Sequence, residues 1–243
     1  IMPYFGYAKG DKKDEPRVSI RARVCAECME LAGADRFVTM DLHAQQLQGF
    51  FKNPMDHLYA QPMLKEVIAR VGTENMVVVS PDAGYAKQAR KFATSLGLPI
   101  AIGDKTRSDH SENAEVLEII GNVEGKNCLI VDDFTISGGT LINLAKGLKA
   151  RGALDITAML SHNIISPRGV EKLNASPIKT IYSTDTVYNP NIIGQEKFKT
   201  VSVAPMFAET IMRYYRHDSI NQMFSQLPDH VIDAGLELAG LKL

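Results

Sequence analysis

Short, nearly continuous apolar runs alternate along the chain with longer segments in which apolar residues return every three or four positions. Arg36–Leu42, Met76–Val79, Ile100–Gly103, Cys128–Val131, Ile156–Leu160, Ile178–Tyr182 and Thr200–Val203 read as strands, most of them apolar on both faces. Helical spacing marks Ser19–Leu31, Pro62–Val71, Ala83–Leu96, Leu141–Ala150 and Pro205–Tyr215, several closed by a glycine such as Gly33, Gly72, Gly97 or Gly152. Strands of this kind alternating with helices predict an α/β fold, a parallel sheet covered by helices on both faces. Asp11–Arg17 and Asp104–Glu115 break the pattern with polar residues and read as loops, the second long enough to move. Beyond Phe224, the residues Val231, Ile232, Leu236, Leu238 and Leu241 need an apolar surface, either as a packed terminal helix or as a subunit contact.

Length and charge narrow the function classes. The 243 residues allow one large domain or two modest ones, and 27 basic against 28 acidic residues leave a formal charge of -1. No basic excess advertises nucleic acid and no apolar run is long enough for a membrane helix, so neither partner is expected. Three cysteines do not make a disulfide framework, and the opening Ile1-Met2-Pro3-Tyr4-Phe5 lacks a signal-peptide layout, which points to the cytoplasm. Cys25 and Cys28 share a predicted helix with Cys128 as the one remaining thiol, so they read as structural rather than zinc-binding. The apolar start without an initiator Met predicts that the chain begins inside a structural element, with sequence upstream. Met55, Met63, Met76, Met206, Met212 and Met223 read as core fillers.

Candidate chemistry collects where strands end. Asp41-Leu42-His43, Ser80-Pro81-Asp82, Asp132-Asp133 and Ser161-His162 each follow an apolar run, and ligands of open parallel sheets sit beyond such carboxyl ends. His162 reads either as a site residue or as a polar strand terminus, whereas His57, His110, His217 and His230 read as surface or loop histidines. Lys9, Lys12, Lys13 and Arg17 form either a solvated basic loop or a triphosphate-facing one. In Leu129–Leu141 a buried-type strand runs into two carboxylates, and Ser137-Gly138-Gly139-Thr140 then opens a helix. Small residues let backbone N–H groups approach an anion at the positive end of a helix, and Ser137 and Thr140 add hydroxyl donors: a phosphate cradle. Asp132 and Asp133 cannot hold phosphate themselves; their partners are sugar hydroxyls or a divalent cation. Phosphate with polyol predicts a sugar phosphate. A tight turn at Gly-Gly and a helix cap at Asp-Asp is the structural alternative, which leaves the grouping unexplained.

The stretch Val131-Asp132-Asp133-Phe134-Thr135-Ile136-Ser137-Gly138-Gly139-Thr140 resembles the phosphoribosyl-binding loop of the type I phosphoribosyltransferase fold. Pro3-Tyr4-Phe5-Gly6-Tyr7-Ala8, Asp41-Leu42-His43-Ala44, Gln48-Gly49-Phe50-Phe51, Ser80-Pro81-Asp82-Ala83-Gly84 and Asp104-Lys105-Thr106-Arg107 resemble, in order, the ribose-phosphate diphosphokinases, also called phosphoribosyl pyrophosphate synthetases. The resemblance runs from Ile1 to about Phe224. It implies two phosphoribosyltransferase-like domains: residues 1–61 as the remainder of an incomplete N-terminal one, residues 62–204 as the C-terminal one with the loop, and residues 205–243 as terminal helices and tail. It implies transfer of the diphosphoryl group of Mg-ATP to the anomeric hydroxyl of ribose 5-phosphate, giving 5-phosphoribosyl 1-diphosphate and AMP. Mg²⁺ is the implied cofactor, and the implied assembly is a homo-oligomer of dimers, up to a hexamer.

Residue roles follow from the same resemblance. Lys105 and Arg107 match the catalytic flexible loop; Lys9, Asp11 and His43 the nucleotide side; and His43 and Asp82 the metal site. Asp132 and Asp133 would hold the ribose hydroxyls, and Ile136, Ser137, Gly138, Gly139 and Thr140 the 5-phosphate. Lys9-Gly10 stands where the family usually has Arg-Gln, which loses a planar guanidinium and an amide, and Ile136 replaces a common Asp. An apolar side chain at Ile136 can point away while its backbone N–H still binds. The family also carries a further N-terminal stretch. Two alternatives remain beside the enzyme: a non-catalytic regulatory paralogue that binds nucleotide or sugar phosphate, and a base-salvage phosphoribosyltransferase. The latter would share the phosphate loop without requiring Asp41-Leu42-His43 or Asp104–Arg107.

Overall fold

Val77, Val78 and Val79 are all buried, as are Leu129, Ile130 and Val131, and burial on both faces is why these runs show no polar alternation. They lie side by side in a computed structural model that describes residues 1–13, 15–107 and 115–240. Nine strands occur among the described residues: β1 (Phe37–Met40), β2 (Met55–Leu58), β3 (Met76–Ser80), β4 (Ile100–Arg107), β5 (Glu115–Ile120), β6 (Asn127–Thr135), β7 (Ile156–Asn163), β8 (Thr180–Thr184) and β9 (Phe198–Val201). The helices are α1 (Arg21–Leu31), α2 (Gln61–Val71), α3 (Ala86–Leu96), α4 (Gly139–Ala150), α5 (Pro167–Asn174), α6 (Ala204–Arg216) and α7 (Asp229–Leu238).

Seven strands form one sheet in the order β5-β4-β3-β6-β7-β8-β9, parallel except for the edge pair β4–β5; β1 and β2 form a separate parallel pair. Strand alternation divides the core of the large sheet. Val78, Leu129, Val131 and Met159 face α2, α3, α6 and α7, while Val77, Val79, Cys128 and Ile130 face α4 and α5. A third cluster, built from Phe5, Phe37, Leu47, Phe51 and α1, packs on the small sheet. Met2 donates to the Val38 carbonyl at 2.8 Å and Met40 to the Pro3 carbonyl at 3.2 Å, so the first residues run alongside β1. No described helix is long and apolar enough to cross a membrane.

Several expectations change. β6 continues through both aspartates to Thr135, because Asp132 through Thr135 pair with Leu160 through Asn163 of a longer β7. Asp104–Arg107 and Glu115, read as loop, are strand: they close an antiparallel ribbon, and 108–114, with His110, lie outside the described residues. β2, Met-Asp-His-Leu, hid behind its polar residues, and α5 behind its shortness and its glycine. His57, read as a surface or loop histidine, is 4% exposed on β2, whereas Met212, read as a core filler, faces outward. The last apolar segment packs as α7, with Val231 and Leu236 buried against the α2–α6 side; Leu241 is outside the described residues.

Candidate functional site

Strand order reverses between β3 and β6, and that reversal opens a crevice at their carboxyl ends. After β3 the chain turns at Pro81-Asp82. Ser80 Oγ donates to the Asp82 carbonyl at 2.7 Å, and Asp82 Oδ1 accepts the Tyr85 N–H at 2.9 Å just before α3. On β6 the neighbouring acids brace each other: Asp133 N–H donates to Asp132 Oδ1 at 2.9 Å and Phe134 N–H to Asp133 Oδ1 at 2.8 Å. From the other side of the crevice, His43 Nδ1 meets Asp133 Oδ2 at 2.5 Å. That contact joins the turn after β1 to the large sheet across ninety positions of sequence.

The two acids titrate apart. Burial, and then the charge of Asp133, pushes the Asp132 carboxyl up to about 8. Burial also works on Asp133, but the His43 hydrogen bond and charge outweigh it and hold that carboxyl below its usual range. His43 is raised in turn, chiefly by the bond to Asp133 against the cost of burial, with Lys9 opposing and Asp11 assisting. A carboxyl whose folded pKa is raised is protonated in the fold while already ionised in the unfolded chain, so stability falls as pH climbs from the ordinary carboxyl range towards about 8. Thermal unfolding in EDTA between pH 5 and 8 is therefore expected to show a decline that Asp132→Asn flattens. Parallel profiles for the two proteins would refute the assignment.

The turn read in sequence as a phosphate cradle follows the end of β6. Gly138 sits at φ +73° as the cap of α4, its N–H donating to Thr135 Oγ1 at 3.1 Å, while the Gly139 N–H leans on Ser137 Oγ at 3.4 Å. A left-handed residue here suits glycine, and a Cβ at Gly138 would stand 2.8 Å from Leu173 Cγ of α5. The Ile136 carbonyl accepts Ser166 N–H at 2.9 Å, and Ile136 itself is exposed. α5, absent from the sequence reading, is thus the rear wall of the cradle.

On the facing side, Lys9 lies in a 3-10 turn (Ala8–Gly10) with its ammonium 4.3 Å from the centre of the Phe134 ring. Asp11 accepts from Gln46 Nε2 at 3.1 Å. Gly10 is buried, and a Cβ there would meet Arg21 Cβ at 2.9 Å, a packing reason for glycine at this position. Lys105 and Arg107 lie on the β4 arm, opposite Leu117 and Glu115 of β5.

Behind the acid pair opens a cavity of about 280 Å³, lined in part by His43, His57, Tyr59, Tyr85, Gln88, Asp132 and Asp133. His57 Nε2 accepts the Leu42 N–H at 2.8 Å, while its Nδ1 and Gln88 Oε1 are buried without a partner among the described residues. Burial holds the His57 imidazole below its usual range, against the pull of Asp41. The Tyr85 hydroxyl is held far above its usual range by burial and then by Asp41, Asp132 and Asp133, so it stays a neutral donor. The sequence reading missed Tyr59, Tyr85 and Gln88; their helical or strand-end spacing carried no distinguishing signal. His162, left open in sequence, is buried beside the site. Among the described residues, no three His, Cys, Asp or Glu side chains gather closely enough to enclose a metal ion.

The family model for the N-terminal domain of ribose phosphate pyrophosphokinase matches residues 1–33, and that for the phosphoribosyl synthetase-associated domain matches residues 108–225. The ribose-phosphate pyrophosphokinase of Chlorobaculum tepidum is 43% identical over 92% of this chain and 69% of its own length. That of Bacillus subtilis is 41% identical over 93% and 71%. The crystal structure of phosphoribosylpyrophosphate synthetase from Mycobacterium smegmatis superposes with a TM-score of 0.82 at 36% identity, covering 88% of this chain and 70% of that one. With 43% identity across more than two thirds of a relative, and a shared fold, the chain belongs to the ribose-phosphate pyrophosphokinase family of enzymes.

Proposed function

We propose that the protein transfers the diphosphoryl group of Mg-ATP to the anomeric hydroxyl of ribose 5-phosphate. The hydroxyl oxygen bonds to the β-phosphorus, the bond from that phosphorus to the α-phosphate oxygen breaks, and AMP leaves as the hydroxyl proton is released. The observation that carries this proposal is the 2.5 Å contact of His43 with Asp133, because it sets a nucleotide-side histidine against a sugar-side acid pair in one crevice. Residues 136–140 take the 5-phosphate on backbone N–H groups at the start of α4, and Asp132 and Asp133 accept from the ribose hydroxyls. Lys9 and Asp11 face the triphosphate from the 3-10 turn, and Lys105 and Arg107 approach it on the β4 arm. In such transfers positioning and charge compensation do most of the work, so cations on a projecting arm suit the reaction.

The donor set fits Mg²⁺. That ion keeps several waters and commonly binds through one or two carboxylates together with substrate phosphates. An exposed Asp82 and a His43 oriented through Nδ1 by Asp133 offer such a partial shell. When bound, the ion would neutralise developing charge on the triphosphate oxygens. We further propose a homo-oligomer built from dimers, with residues 1–61 belonging to an N-terminal unit and 62–204 to a C-terminal one.

Incubation with ribose 5-phosphate, Mg²⁺ and a panel of nucleoside triphosphates is expected to release AMP from ATP in step with consumption of the sugar phosphate. Failure of every donor to release its mononucleotide would remove the proposal and leave the regulatory paralogue.

A further inference from the structure

We infer that His162 is a positioning residue: its hydrogen bond to the Asp41 carbonyl fixes the turn that presents His43, and so serves the nucleotide side of the site more than the loop that opens α4. The inference rests on the functional reading above. His162 is the penultimate residue of β7 in the large sheet and is 1% exposed. A histidine so thoroughly removed from water needs both ring nitrogens satisfied, and both are. Nε2 lies 3.0 Å from the Asp41 carbonyl and Nδ1 2.8 Å from Thr186 Oγ1. A carbonyl only accepts, so Nε2 carries the hydrogen, while Nδ1 is held by the Thr186 hydroxyl, which also lies 3.3 Å from the Ser161 carbonyl.

Asp41 is an unusual residue to hold. Its φ is +38°, a conformation that side-chain-bearing residues seldom adopt and that persists only when the surroundings enforce it. Three anchors do so. Asp41 N–H donates to the Leu58 carbonyl at 3.0 Å, its Oδ2 accepts the Ala60 N–H at 3.0 Å, and its carbonyl accepts from His162. The first two belong to β2 and the start of α2; the third reaches across from the large sheet. The His162 bond therefore ties the strained turn to the same sheet that carries Asp133, and His43 lies two residues further on, 2.5 Å from that aspartate. The Tyr4 ring, 4.8 Å from the His162 imidazole, closes the other side of the ring and packs on Phe134 as well. The cradle for the sugar phosphate, by contrast, is braced by α5 and has no described hydrogen bond to His162.

The test compares His162→Asn, His162→Gln and Thr186→Val with the unmodified protein, reading Mg-ATP and ribose 5-phosphate binding separately by calorimetry alongside steady-state rates and thermal unfolding. Asparagine keeps an amide near the position of Nδ1 but cannot reach Asp41; glutamine can place an N–H there. His162→Asn is expected to weaken Mg-ATP binding about tenfold, with ribose 5-phosphate binding changed by no more than about twofold, and His162→Gln to recover most of the loss. Thr186→Val, which frees the ring at Nδ1, should move the same way by a smaller factor, and it carries the test should His162→Asn not fold. The inference falls if His162→Asn binds Mg-ATP as tightly as the unmodified protein, or if all three variants lose both ligands in parallel with their melting temperatures. Failure of the unmodified protein to bind either ligand would instead overturn the functional reading.

Discussion

Replacing Lys105 by alanine is expected to lower turnover by about 10²- to 10³-fold while leaving ribose 5-phosphate binding nearly unchanged. The reason lies in how β4 is paired. Its ladder with β3 runs from Ile100 to Ile102, and from Gly103 to Arg107 its partner is β5 alone. The strand therefore leaves the sheet at its carboxyl edge, the edge that carries Asp82 and the two β6 aspartates. On the proposed function, Lys105 and Arg107, two basic residues on a two-stranded arm at that edge, compensate the charge of the triphosphate without forming part of the loop that opens α4. Removing one takes away charge compensation that matters most when the bond to the leaving group breaks, so kcat falls while sugar affinity stays. Steady-state kinetics with calorimetric binding of ribose 5-phosphate reads both halves. An unchanged kcat, or a loss of sugar binding equal to the loss of rate, would show that the arm does something else.

What the sequence made legible, and what it hid, has a common physical origin. The runs at β3, β6 and β7 were visible because their residues are buried on both faces, and the loop into α4 was visible because glycines, hydroxyls and acids are adjacent in sequence. The fold class, and the proposal of a sugar-phosphate half for the site, followed from those local signals together with a resemblance in motif order. Interactions made only at long range were illegible. His43 and Asp133 each looked like a strand-end residue, and nothing in their spacing announced a 2.5 Å contact. His57 looked like a loop histidine because Met-Asp-His-Leu is a poor strand by composition; it is buried because β2 pairs with β1 and turns that side chain to Leu42. β6 looked four residues shorter at its carboxyl end because polar residues usually end strands, whereas here β7 continues beside them. α5, with a proline at its start and a glycine inside, gave too few periodic positions to count as a helix, yet it braces the loop that the sequence identified most clearly.

That bracing yields the second large effect. Gly138→Ala is expected to raise the KM for ribose 5-phosphate by about 100-fold and to lower the melting temperature, with Mg-ATP binding little altered. Two costs combine at this position. An alanine at φ +73° pays about 1–2 kcal/mol for its left-handed backbone, and its Cβ would stand 2.8–3.1 Å from three atoms of Leu173. Leu173 is fully buried in the cluster beneath α4 and cannot swing aside into solvent, so the loop itself must shift. A shift of the α4 cap moves the N–H groups of residues 138–140 together, and a displacement near 1 Å is enough to spoil a multidentate grip on an anion. Gly139→Ala is the informative companion. Its added Cβ would meet only Ser137 Oγ at 3.5 Å, an ordinary contact, and no positive φ is required there. It should therefore fold with a melting temperature close to that of the unmodified protein, and any loss of ribose 5-phosphate affinity it shows reports the anion's closeness to the backbone rather than damage to the fold. If Gly138→Ala bound the sugar phosphate normally while melting lower, the glycine would be a packing residue alone, and the anion would have to lie elsewhere along the sheet edge.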